Sequence, residues 1–101
     1  MPTWKPAAIA DRKRIIAYIA QDKPRAAIEL GDLLMEKSSL LDLYPLLGPA
    51  GRVKGTRELT VHPNYILIYR LIDDTVEVLR VNHAGTAMAL KVYKTRLVNK
   101  A

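Results

Sequence analysis

From residue 6 onward the apolar positions change rhythm once, from a helical period to a strand period. Ile9, Ile15, Ile16 and Ile19 keep to one stripe of a helix that runs from Pro6 to about Gln21. Pro6 suits its first turn, where a missing N–H costs nothing. Asp22-Lys23-Pro24 stops this helix and starts a second, with Asp22 or Lys23 at the cap and Pro24 as the first helical residue. Ala27, Leu30, Leu34 and Leu41 mark the buried side of the second helix, Leu33 and Leu40 widen it, and Pro45 ends it. So short a link makes the two an antiparallel hairpin.

After a loop at Leu46 to Gly51 come three runs rich in Val, Ile, Leu and Tyr: Arg57 to Val61, Tyr65 to Ile72 and Val76 to His83. Pro63-Asn64 and Asp73-Asp74 separate them as hairpin turns, and Pro2 to Lys5, with Trp4, adds a short edge strand. The fold class expected is therefore α+β. An N-terminal helical hairpin packs on a small antiparallel β-sheet, in the order β-α-α-β-β-β, followed by a C-terminal segment.

Register decides which side chains share a face. With Ile72 opposite Thr75, an unbroken ladder gives one face Tyr65, Leu67, Tyr69, Leu71, Val76, Val78, Arg80 and Asn82. The other face then carries Ile66, Ile68, Arg70, Ile72, Glu77, Leu79, Val81 and His83. Both are largely apolar and a helical hairpin covers only one, so the second calls for the C-terminal segment or another chain. In the first hairpin, a two-residue loop sets Leu59 and Val61 beside Ile66 and Ile68, with Arg57 on the His83 face. A three-residue loop, the preferred reading, sets them beside Tyr65 and Leu67, and moves Glu58, Thr60 and His62 to that face.

Composition narrows the function classes. The 101 residues make one domain, 1–101, whose end at 86–101 reads as a mobile basic tail bearing Lys91, Lys94, Arg96 and Lys100. A net charge of +6 favours an acidic partner, either nucleic acid or protein. There is no cysteine, and His62 and His83 lack metal-ligand spacing, so neither disulfide, metal nor cofactor is expected. The N-terminal stretch has no long apolar segment after its positive charges, which predicts a cytoplasmic protein without signal peptide or membrane span. Arg12, Lys13 and Arg14 point in three directions around the first helix and read as a solvated face.

Several stretches together resemble the RelE/ParE superfamily of type II toxins. They are Trp4, Ala8 and Asp11; Tyr18 to Ala27; Pro45 and Gly48; GRVKGTREL at 51–59; NYILIYR at 64–70; and LRVNH at 79–83. The resemblance spans about residues 4 to 85, and 51–69 is its most specific part. It implies a small toxin made with an acidic antitoxin that wraps it. It also implies one of two activities. RelE-like members cut mRNA in the ribosome without metal, and ParE-like members poison DNA gyrase.

Metal-free RNA cleavage needs a base for the 2′-hydroxyl, an acid for the leaving oxygen and cations for the developing charge. Glu58 or His62 fits the base, His83 the acid, and Arg57 with Arg80 the clamp, while Arg52, Lys54 and Arg70 hold flanking phosphates. On these residues the expected function leans to a ribosome-associated mRNA endoribonuclease, with gyrase poisoning as the alternative. Structural roles compete at each position. His83 would bond backbone, His62 would belong to a turn, Arg80 would pair with Glu29 or Glu36, and Tyr65 and Tyr69 would be core. One departure weighs against cleavage: Ile66 stands where RNA-cutting relatives carry an arginine, and Thr86 where a further basic residue is expected.

Overall fold

The computed structural model describes residues 2–84. It folds them as β1 (Thr3–Trp4), α1 (Pro6–Ala20), α2 (Pro24–Leu43), β2 (Arg57–His62), β3 (Tyr65–Ile72) and β4 (Thr75–His83). The basic tail expected at 86–101 lies outside the described residues. Pro6 and Pro24 open the helices, and neither cap residue, Lys5 or Lys23, supplies a side-chain bond. Asp73 and Asp74 both take left-handed backbone, with φ of 50° and 64°, as a two-residue hairpin turn requires.

The strands lie in the order β1-β4-β3-β2. β2, β3 and β4 form the expected antiparallel meander, whereas β1 runs parallel to β4, so the sheet is mixed. The long helical excursion between β1 and the meander lets the first strand enter in that direction. Ala8, Leu30, Leu34 and Leu41 of the helices pack on Leu59, Val61, Tyr65, Leu67, Tyr69, Val76, Val78 and Val81 of the sheet. Truncating Leu34 or Leu67, both fully buried, would cost about 2–5 kcal/mol.

Two bulges set the faces. The first hairpin closes on His62 opposite Tyr65, a two-residue turn, but the register then slips between Thr60 and His62, so Leu59 faces Leu67 and Glu58 faces Ile68. One alternative thus supplied the turn and the other the facing. The second bulge corrects the expected ladder. From Ile72 opposite Thr75 the pairing is regular to Tyr69 opposite Val78, then slips so that Ile68 faces Arg80 and Tyr65 faces His83. Val81 and His83 therefore join the helix-covered face, while Arg80 and Asn82 move to the second face with Ile66 and Ile68. The slip buries Val81 to 2 % exposure and leaves the Arg80 guanidinium half in solvent.

The second face is less open than the pattern implied. Ile66 is buried, Ile68 and Leu79 are half-buried, and Ile72 is exposed.

Candidate functional site

Asp11 lies on the buried stripe of α1, three residues after Ala8 and four before Ile15, and is 1 % exposed. It faces β4 just where β1 has ended. Its Oδ2 accepts the Val81 N–H (3.0 Å) and Arg80 Nε (2.7 Å), and its Oδ1 accepts Arg80 Nη2 (3.0 Å) and Arg14 Nη2 (2.7 Å). Burial alone would raise the Asp11 pKa, but the bonds from Arg80, Val81 and Arg14 outweigh it and hold the carboxyl below 3.8. The same pairing pushes Arg80 further up. The partner expected for Arg80 was Glu29 or Glu36 on α2; it is a carboxylate of α1 instead. Arg12 is likewise engaged, stacked 4.7 Å over Trp4.

The GRVKGTREL stretch builds a clasp. Tyr69, fully buried, donates its hydroxyl to the Pro45 carbonyl (2.7 Å) and accepts the Gly48 N–H (2.9 Å). Arg57 Nη1 reaches the Gly48 carbonyl at 2.6 Å, and Glu58 N–H bonds the Pro49 carbonyl. The Glu58 carboxylate takes both the backbone N–H and the Nε of Arg52, each at 3.1 Å. Two glycines are sterically required. A Cβ on Gly48 would lie 2.9 Å from the Glu58 carbonyl oxygen, and one on Gly51 would collide with Thr56 Oγ1. Lys54 stays exposed beside Gly55, whose φ is 84°.

The third group sits at the first hairpin. Tyr65 lies 5.8 Å from the His62 ring and edge-on to His83 at 5.0 Å. His62 Nδ1 accepts the Asn64 N–H, which fits a turn residue. Burial, aided by nearby Tyr18, raises the Tyr65 pKa and keeps its phenol neutral. A cleft of about 400 Å³ opens beside His62, Asn64 and Tyr65, against Lys23 at the cap of α2 and Glu29 within it.

The proposed catalytic residues are thus distributed over both sides of the sheet. One row across the second face reads Glu58, Ile68, Arg80, and the next reads Thr60, Ile66, Asn82. Isoleucines hold the centre of both rows. His83 stands on the other face, and Arg57 turns to loop carbonyls. Arg70 pairs with Glu77 at 2.9 Å, and that bond holds Glu77 below its ordinary pKa. Among the described residues no group of His, Asp and Glu is placed to hold a metal ion. No described helix is long and apolar enough to cross a membrane.

A family profile described as ParE toxin of type II toxin-antitoxin system, parDE, matches residues 3–88. The chain belongs to the ParE toxin family. Toxin RelE2 of Caulobacter vibrioides is 35% identical over 83 residues, covering 82% of this ParE-family chain and 91% of the relative. Among solved structures, the chromosomal ParDE TA system from P. aeruginosa superposes with a TM-score of 0.71 at 21% identity, over 82% of this chain and 96% of that one. YafQ from E. coli gives 0.55 at 26% identity, over 89% and 96%. The ParE-family protein is therefore the toxin of a type II toxin–antitoxin module.

Sequence reasoning used Asp11 only as part of the family resemblance, without a role for it, and passed over the Tyr69 hydroxyl. The signal for Asp11 was its position on the apolar stripe of α1, where a lone carboxylate must find donors. Tyr69 was read only as core, which it is, but its hydroxyl also had to be satisfied there.

Proposed function

We propose that this toxin arrests growth by binding DNA gyrase, and not by cutting RNA. The observation that carries this reading is the apolar centre of the second face. Where a scissile phosphate would need converging cations, Ile68 stands between Glu58 and Arg80, and Ile66 between Thr60 and Asn82. Of the guanidinium groups able to stand in for the missing arginine, Arg57 pairs across from Tyr69 on the helix-covered face, while Arg70 bonds Glu77 and Arg80 bonds Asp11. An acid at His83 and a base at Glu58 also lie on opposite faces. The greater structural likeness to the ParDE toxin than to YafQ points the same way.

The nuclease reading is favoured by the exposed imidazole of His83 edge-on to Tyr65 and by the likeness to toxin RelE2. One paired assay separates the two. Purified toxin is added to a gyrase supercoiling reaction, and translated message is followed in cells expressing it. Blocked supercoiling with intact message is expected; normal supercoiling at saturating toxin, with defined cuts in message, would refute the proposal.

A further inference from the structure

α2 ends at Leu43, while the face of the sheet that it covers continues to Leu71. The gap leaves Leu43, Tyr44, Leu46, Leu47 and Leu71 exposed by 74%, 60%, 62%, 46% and 37%. So much large apolar surface at one end of a small domain is a protein-binding signal. Within it, Leu46, Leu71, Ala50, Gly55, Thr56 and Arg57 line a cleft of about 350 Å³, room for an inserted aliphatic side chain.

We propose that this cleft is a seat for the antitoxin, taking an acidic amphipathic segment with an aliphatic side chain in the cleft and carboxylates on its rim. The charge argues for that occupant. Arg57 is the charged residue lining the cleft, and while its Nη1 bonds the Leu46 and Gly48 carbonyls, its Nε and Nη2 bond no described residue. Lys54 is exposed next to Gly55, and the whole chain carries +6. A second copy of the chain fits worse, because a twofold contact centred here would bring these cations against their own counterparts. The seat is also pre-built. Tyr69 pins Pro45 and Gly48, so binding does not have to order the loop.

The inference rests on the toxin–antitoxin assignment and is independent of the gyrase reading. The test is titration calorimetry of the toxin with the antitoxin encoded by its paired reading frame, using Leu46→Glu and Lys54→Glu toxins, with growth arrest scored in parallel. Leu46→Glu is expected to weaken binding by roughly tenfold or more and to leave arrest that the antitoxin no longer relieves. Lys54→Glu, at an exposed loop position that cannot disturb the core, should weaken binding about three- to tenfold and flatten its salt dependence. Affinities within about twofold of wild type for both variants overturn the proposal. Two further outcomes also overturn it: loss of arrest with antitoxin binding intact, and a wild-type dimer dissolved by Leu46→Glu with antitoxin affinity unchanged. Failure of the gyrase reading would appear only in the supercoiling assay.

Discussion

Asp11 joins α1 to β4 through a single carboxylate, and its loss has a calculable direction. Asp11→Ala leaves the Val81 N–H unanswered and Arg80 unpaired. Because Arg80 is 52% exposed and partly screened by water, the cost is about 2 kcal/mol, below the usual figure for a fully buried pair. The pH dependence follows from the lowered Asp11 pKa. The unfolded chain holds this proton more tightly, so the contribution is complete above 3.8 and is lost as pH falls through the lower folded value. Denaturant midpoints of wild type and Asp11→Asn, compared from pH 7 downward, should converge below that point. Tyr69→Phe tests the clasp: it strands the buried Gly48 N–H and should cost about 1–3 kcal/mol in the same measurement. His83→Ala tests the function, since gyrase binding predicts growth arrest undiminished while RNA cleavage predicts its loss.

Among the elements, boundaries were legible and registers only in part: Ile72 opposite Thr75 and Leu59 beside Leu67 were readable, the bulges were not. Proline opens both helices and Asp-Asp turns the second hairpin, and these are local signals with a local mechanism. The slips after Thr60 and between Ile68 and Tyr69 are not local. Val81 moves into the core and Arg80 reaches a carboxylate 69 positions away because α1 lies where it does, and no alternation along β4 announces that. The candidate site suffered for the same reason. Glu58 and His83 were placed on one face by the preferred first-hairpin register, and the second bulge separated them. The Asp73-Asp74 turn gives a test at this scale. Asn at the first position and Gly at the second suit left-handed backbone better than two aspartates, so the double substitution should raise stability by roughly 0.5–1 kcal/mol in thermal melts.

For the molecule as a whole, charge and apolar surface divide the labour of recognition. A toxin of net charge +6 meeting an acidic partner is steered over long range, and the apolar contact then holds the complex. Stopped-flow association with the antitoxin should therefore slow by about tenfold or more between low salt and half-molar salt, while the dissociation rate changes little. A salt-insensitive association rate would contradict this view.

The carboxylate of Asp11 also has a consequence for how the sheet behaves in a crowded cell. A sheet margin is a row of free donors and acceptors on which any extended chain can grow. Here β1 occupies one margin at Glu77 and Val78, Lys5 bonds the Val78 carbonyl, and a helix side chain takes the next donor at Val81. At the opposite margin Ala50 bridges Arg57, and Pro49 receives the Glu58 N–H, so the loop after α2 shields the start of β2. The margins of the sheet are thus blunted at Glu77 to Val81 on one side and at Arg57 and Glu58 on the other. Sticky patches remain on its surface, but strand-by-strand growth finds less open backbone at these positions.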